Sequence, residues 1–586
     1  MRTIKQVPSV PWGRSPRCHP GELAGWLRGE RPPACDIIRP PGIVEMDLSA
    51  RISLTGLDWG ICLSLLVFSI AVGLWIAARM RASADSSAFF LAGRRLAWPV
   101  IGASLFATNI GAEHLVGLSG DTYRYGISAA TVEFTTAMCL GVTCAVLLPY
   151  YMKNKVFTIP EFLELRYNRA ARTFFSGLMV VISVMTKMAF CLFAGALVLN
   201  GLVGWGVMKV VVWLGVICAA TTIIGGFAAV AYTDTIQTVI MVVGSGLGFL
   251  IGLGKVGGWS GLAARVPEMI HMHRPISDPN FPFWGVILGA LYGGIFYWGM
   301  DQVNVQRLLG APNLRQARWG AMFAVFLKLL PVFIFAMPGL ICLALYPGRE
   351  PKTTFMTFLN DILPSGLRGM VLAALLAALI SSILAVMNSI STMVVKDFIL
   401  RARPETPEET QVYLGRVAIV AATVLGVGAA YLVFKNQEGL YKYLQAISIF
   451  LVMPLTPAIF FGIVSKRVTV KGAIASFVVG FLAAAVYVTD QLIGMIRGPE
   501  AARAVFPFLH HTLTANYTWR GLWGTLIIIA VLFTVSAFTK RAADEKLATT
   551  TVDWKAKWAP FEGWRDWRLQ LAVLSAVTVF LYWRMW

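Results

Sequence analysis

The chain has 586 residues, of which 57% are hydrophobic and 14% charged, with a mean hydropathy of +0.68. Soluble domains carry about 25% charged residues, and one water-soluble core stops growing near roughly 250 to 300 residues; a soluble enzyme, a disordered scaffold and a secreted disulfide framework are thereby excluded. The excess of 50 Lys and Arg over 30 Asp and Glu, net +20, is the signature of topology-setting loops rather than of nucleic-acid binding in a chain this apolar.

Residues 1–56 come first and read as an extracytoplasmic tail without stable structure. The stretch 1–51 holds eight Lys or Arg, is rich in Pro and Gly, and lacks the apolar run of a signal peptide. Translation is expected to begin at Met46. A membrane-crossing helix needs about 20 predominantly apolar residues, and runs of that kind predict fourteen spans: 57–78, 97–119, 127–150, 174–203, 207–225, 234–254, 283–306, 319–346, 366–396, 415–434, 442–463, 471–490, 521–539 and 569–585. The expected organisation is a leading helix and loop (57–96), a first five-helix block (97–254), an extracytoplasmic loop (255–282), a second five-helix block (283–463) and an accessory region (464–586).

Placing the start of the first span outside puts 26 Lys and Arg in the six cytoplasmic loops, among them Arg94, Arg95, Arg307, Arg315 and Arg318, against 14 on the other side beyond the tail. Retained loops carry the positive excess, so both termini are expected outside the plasma (inner) membrane. Six of the eight cysteines, Cys62, Cys139, Cys144, Cys191, Cys218 and Cys342, lie in apolar runs without CxxC spacing. They read as small core side chains.

Two spans carry polar and glycine residues at mid-depth, where an unpaired polar group costs several kcal/mol. One is Leu105-Phe-Ala-Thr-Asn-Ile-Gly-Ala-Glu-His114; the other is Tyr292-Gly-Gly-Ile-Phe-Tyr-Trp-Gly-Met-Asp-Gln302. Each opens one of the five-helix blocks. Transporters built from two inverted five-helix repeats break the first helix of each, because unwound backbone supplies carbonyls and helix ends to a central site. Asn109, Glu113 and His114 together require a wet cavity. The expected fold class is therefore an all-α polytopic membrane protein of about fourteen helices with a 5+5 inverted repeat.

A cation site is expected on the span 366–396. Ser381 and Ser382 offer two hydroxyls, and the Ala378 carbonyl lies one turn away. A hard cation such as Na⁺ takes neutral oxygens, and the broken second span can supply further carbonyls around Ala107 and Ile110. Glu133 in the third span and Lys328 in Phe326-Leu-Lys-Leu-Leu330 are isolated membrane charges; a buried carboxylate needs a partner or strong donors, and a polyol supplies donors.

Together these stretches resemble the sodium/solute symporter family, and within it the sodium/glucose cotransporters, over roughly 57–490. The resemblance rests on GASLFATNIGAEHLVGLSG (102–120), TIPEFLELRYN (158–168), GGFAAVAYTDTIQ (225–237), YWGMDQVNVQRLLGAPN (297–313), FLKLLPVF (326–333) and ALISSILAVMNS (378–389). It implies a leucine-transporter-type core for the 5+5 inverted repeat, with Na⁺ bound by the carbonyls of Ala107, Ile110 and Ala378 and the hydroxyls of Ser381 and Ser382. It also implies sugar contacts from Glu133, Lys328 and Gln445, with His114 where relatives place Gln or His, Tyr297 stacking on the sugar as inner gate, Trp298 beside it, and Thr136 near Glu133. Two-sodium members use hydroxyls where this chain has Leu384 and Ala385, so one Na⁺ per substrate is expected although the aspartate of that region, Asp234, is present as an ion-pathway residue. Gly294 replaces a family Asn or Thr and Phe296 lacks a polar group, removing one sugar contact and adding space.

The expected function is Na⁺-driven import of a sugar or cyclic polyol of hexose or inositol type by alternating access, with no organic cofactor and no enzymatic activity. Uptake of an organic acid, sialic acid or vitamin is the alternative within the family; an anion would prefer an intramembrane Arg clamp, and no span carries Arg at mid-depth. A transporter-like nutrient sensor is the alternative of another class. Such proteins append signalling domains, whereas about 29 residues link the last two spans and a helix leads directly to Trp586.

Overall fold

The structure is a computed structural model that describes residues 54–80, 85–111, 113–278, 280–435, 454–510, 517–556 and 560–586. The expectations about Met46, the tail and Gln445 lie outside these residues, as does most of the span expected at 442–463. Within them the regular elements are all helical.

In chain order the helices are α1 (Gly56–Met80), α2 (Trp98–Asn109), α3 (Ser119–Tyr125), α4 (Ile127–Lys153), α5 (Arg169–Asn200), α6 (Val207–Lys255), α7 (Phe283–Gly299), α8 (Gln302–Leu309), α9 (Leu314–Leu345), α10 (Leu367–Ala402), α11 (Glu408–Phe434), α12 (Leu455–Val464), α13 (Val470–Asp490), α14 (Trp519–Ala537) and α15 (Trp567–Arg584). Nine of the described helices are long and apolar enough to cross a membrane, ten when the bent pair α7–α8 is one span. The expected fourteen differ for local reasons. Helix α2 ends after 12 residues, the 10 residues of α12 are only part of an expected span, and α15 carries Arg568, Gln570 and Arg584 in its 18 residues.

Two spans expected as separate, 207–225 and 234–254, form the single 49-residue run of α6. At 1.5 Å per residue that is about 74 Å of helix, more than twice the ~30 Å hydrocarbon layer. The run turns at Gly226, whose φ of +61° lies in the left-handed region and whose added Cβ would stand 2.9 Å from the Phe89 carbonyl oxygen. Only glycine fits there, so the glycine pair makes the joint without a polar loop.

Helix α10 is the axis of the bundle: 89% of its most apolar window is buried, against 28% for α1. A helix apolar all round and buried all round is central, whereas a greasy exposed one meets lipid. Along α10 and α1 lies α6; α9 lies along α2. The six described cysteines are unbridged, five of them buried.

Candidate functional site

The second expected span is interrupted. Helix α2 ends at Asn109, Ile110 is extended (φ −78°, ψ 125°), and helical structure resumes at Glu113 in a wider turn, Glu113–Leu118, that leads into α3. A helix end leaves its last carbonyls without next-turn donors, which puts carbonyl oxygens of the Ala107–Ile110 segment at a buried break. The other interruption falls inside the expected stretch 292–302, at its far end from the glycine pair. Helix α7 runs through Gly293 and Gly294 to Gly299, and α8 departs at 50° after Met300 and Asp301. Asp301 caps α8 by accepting from the Val303 amide at 3.2 Å, its other oxygen is taken by Lys187 of α5, and Asn304 donates back to the Tyr297 carbonyl at 2.9 Å.

Around the first break the isolated membrane charges meet. Lys328 ends a helical stretch three residues before Pro331, which has no N–H to continue the ladder. Its ammonium donates to Glu133 Oε2 and to Asn109 Oδ1. Glu133 is 7% exposed and Lys328 3%, so the charges neutralise one another out of water. Asn109 Nδ2 donates to the Tyr297 hydroxyl at 3.1 Å. The Gly111 amide donates to His114 Nδ1 at 3.3 Å, which places the imidazole proton on Nε2, 3.3 Å from Glu133 Oε1. His114 and Lys328 thus meet on one carboxylate, and Asn109 and Tyr297 are chained to it through the lysine.

This network opens onto a cavity of about 280 Å³ lined among others by Asn109, Glu133, Thr136, Tyr297, Trp298 and Lys328. Tyr297 and Trp298 meet edge to face, centroids 5.1 Å apart. His114 stands one contact behind the wall. Space expected at Gly294 is partly taken: an added Cβ there would come 2.5 Å from Cys139 Sγ. Phe296 turns away into the core against Phe175, with ring centroids 6.4 Å apart.

A second buried cluster lies along α10. Ser382 Oγ donates to the Ala378 carbonyl at 3.0 Å and stands 3.3 Å from the Thr108 carbonyl, so the serine, its own helix and the end of α2 come together as neutral oxygens. Ala107 and Ile110 flank Thr108 and are fully buried. Ser381 donates its proton to Asp234 Oδ1 at 2.6 Å. Asp234 also accepts from Ser104 at 2.5 Å and from Arg307 Nη2 at 3.1 Å. Arg307, expected just past a span ending at 306 as the first basic residue of a loop, instead lies within α8 and is buried (1% exposed) on Asp234. Asn109, Ser104, Thr108 and Arg307 complete the two clusters and were not among the expected site residues. The spacing of Ser104 and Thr108, one turn apart on an interrupted apolar helix, is the signal that points to them.

An all-helical membrane bundle whose two interrupted helices flank a largely apolar cavity with a few convergent polar groups has the architecture of a secondary transporter. The solved structures agree on the fold. A Na⁺-coupled sialic acid symporter in a substrate-bound outward-open state matches with TM-score 0.70 at 19% identity, over 83% of this chain and 99% of that one. A nucleobase-cation-symport-1 family transporter in a closed conformation matches with TM-score 0.51 at 15% identity, over 79% and 97%. The chain belongs to the sodium:solute symporter family, whose model matches residues 89–480. It is 30% identical over 558 residues to the sodium/myo-inositol cotransporter 2 of Mus musculus, covering 88% of this chain and 81% of that protein. It is 32% identical over 484 residues to the sodium/glucose cotransporter 4 of Homo sapiens, covering 76% and 71%. It is a multi-pass membrane protein of a sodium-coupled symporter family.

Proposed function

We propose that the chain is a symporter that uses Na⁺ entry to import a neutral, hydroxyl-rich ring, a hexose or an inositol, by alternating access with one Na⁺ per substrate. The observation that carries this reading is the cavity wall. Glu133, held by Lys328 and, from behind the wall, by His114, keeps spare lone pairs, so that it, Asn109 and Thr136 provide directional partners for hydroxyls, and the Tyr297–Trp298 pair provides an apolar platform for ring C–H faces. An anionic substrate is disfavoured because Glu133 already neutralises Lys328 and Asp234 already neutralises Arg307. Relatives named for myo-inositol and glucose support the same substrate class.

In this reading Glu133, Lys328, Thr136, His114, Tyr297 and Trp298 contact or frame the substrate, with Gln445 as a further contact beyond the described residues. The carbonyls of Ala107, Ile110 and Ala378 and the hydroxyls of Ser381 and Ser382 take the cation. The two interrupted helices head five-helix repeats, 97–254 and 283–463, followed by the accessory region 464–586. Counting α6 as two crossings, α2 with α3 as one, α7 with α8 as one, and α12 and α15 as one each gives fourteen, which returns both termini to the outside.

The energetics suffice. One inward charge yields about 2.3 kcal/mol per 100 mV, and a tenfold Na⁺ gradient adds about 1.4 kcal/mol, so at about 150 mV one ion supports roughly 5 kcal/mol of accumulation. Na⁺ acts by joining the end of α2 to α10, which fixes Asn109 at the cavity wall; the coupling between ion and substrate is reciprocal. Ser382→Ala, which removes one oxygen at this joint and none at the cavity, is expected to raise the Na⁺ concentration for half-maximal uptake at least tenfold while leaving uptake at saturating Na⁺ largely intact. An unchanged Na⁺ activation curve in that variant refutes the cation assignment.

A further inference from the structure

Two adjoining cavities lie where α15 enters the bundle, away from the transport site. One, about 390 Å³, is walled by Arg315 and Arg318 near the start of α9, by Glu562 and Arg565 of the preceding turn, and by Trp567 and Arg568 opening α15. The other, about 440 Å³, is walled by Met322 and Phe323 of α9 and Leu569, Val573 and Leu574 of α15, and reaches Trp98 at the start of α2. Trp319 and Arg565 belong to both. From Arg568 to Leu574 the helix advances about 9 Å. A charged chamber therefore gives onto an apolar one at a depth of less than two helical turns.

The charges of the first chamber are unequally matched. Arg315 pairs with Glu562 at 2.6 Å and Arg568 with Asp566 at 2.5 Å. Arg318 instead donates to the Cys144 carbonyl at 3.1 Å and lies 4.7 Å over the Trp567 ring. Among the described residues neither Arg318 nor Arg565 has a carboxylate within ion-pairing distance. Asp553 also lines this chamber, its Oδ1 accepting from the Lys555 amide at 3.0 Å, so outside the two pairs two arginines stand against one carboxylate, and guanidinium forks in excess suit the oxygens of a phosphodiester. Tryptophans gather around the joint, Trp98, Trp319, Trp564 and Trp567, as they do at a membrane–water interface. A free phosphate would explain the arginines and leave the apolar chamber unexplained. A neutral lipid tail would explain the chamber and leave the arginines unmatched.

We propose that this paired cavity binds an anionic phospholipid, its phosphate held by Arg318 and Arg565 and the start of one acyl chain laid between Phe323 and Val573. Basic pockets between membrane helices on the positively charged side are built for such headgroups. Because the apolar chamber ends on Trp98, the lipid touches the first turn of α2, the interrupted helix that carries Asn109.

The test uses the purified full-length chain in detergent, mixed with phosphatidylglycerol and phosphatidylcholine, with retained lipid counted by native mass spectrometry. The wild type is expected to retain phosphatidylglycerol in preference to phosphatidylcholine. The double variant Arg318→Gln/Arg565→Gln is expected to lose it at least tenfold. Val573→Trp, which fills the apolar chamber and spares every arginine, is expected to do the same, and it carries the test should the double variant fail to fold. Equal retention of the two lipids by the wild type, or undiminished phosphatidylglycerol in Val573→Trp, overturns the proposal. So does displacement of the lipid by inorganic phosphate in a manner blind to Val573→Trp, which marks a soluble-anion site instead.

Discussion

Lys328→Met is expected to lower stability by about 3–5 kcal/mol and to abolish coupled uptake, whereas adding Glu133→Gln restores most of the stability and none of the uptake. The first number is the cost of leaving one member of a buried pair charged and unpartnered. Glu133 keeps only His114 as an ion-pair partner once the ammonium is gone, at 7% exposure. Neutralising Glu133 removes that penalty, because a neutral amide beside methionine and histidine buries no net charge. The double variant still lacks the ionised acceptor for substrate hydroxyls, and Asn109 has lost the ammonium that aligns it with Tyr297. Thermal midpoints of the four proteins of this cycle, read beside Na⁺-dependent uptake, separate the structural part of the pair from the binding part. A double variant as unstable as Lys328→Met contradicts the pairing; a double variant that transports contradicts the role of Glu133.

The second large effect is expected at Asp234, in the same terms of stability but with a different functional readout. Asp234→Asn leaves Arg307 buried and positive, again at about 3–5 kcal/mol, and Asp234→Asn/Arg307→Gln recovers most of it. The functional effect falls on Na⁺. Ser381 donates its proton to Asp234 at 2.6 Å, so its oxygen lone pairs remain available to a cation and are enriched by the carboxylate behind it. Losing that polarisation, with every ligand oxygen still in place, is expected to weaken Na⁺ activation about tenfold, which is about 1.4 kcal/mol. The double variant keeps this weakened activation after its stability returns. Na⁺ activation restored to the wild-type value in the double variant means that Asp234 serves packing alone.

Much of this arrangement was legible in the sequence. Asn109, Glu113 and His114 in an apolar run announced the break in the second span, because polar groups at that depth demand unwound backbone or a cavity. Glu133 and Lys328, each without a charged neighbour in its own span, were legible as charges that must find partners. What local sequence does not carry is the partner itself. Lys328 and Glu133 are 195 residues apart, Ser381 and Asp234 147, and only the packing of α10, α6 and α2 decides that Ser381 turns to the aspartate while Ser382 turns to the end of α2. Arg307 was misplaced for a related reason. An arginine near the end of an apolar segment ordinarily marks the membrane edge, and the Asp301 cap that carries α8 and Arg307 inward becomes visible only with the bend. Gly226 shows the converse: the pair of glycines was noted as a motif, but the joint they make needs the approach of Phe89 to be understood.

In the proposed cycle a cation site at the end of α2 drives a neutral polyhydroxylated ring through the cavity beside it. Uptake into proteoliposomes under an inward Na⁺ gradient, across a panel of hexoses, inositols and carboxylates, tests this most directly. Accumulation of at least one neutral ring that collapses when the Na⁺ gradient is dissipated is the predicted result. Accumulation confined to carboxylates, or uptake of sugars and inositols indifferent to Na⁺, contradicts it.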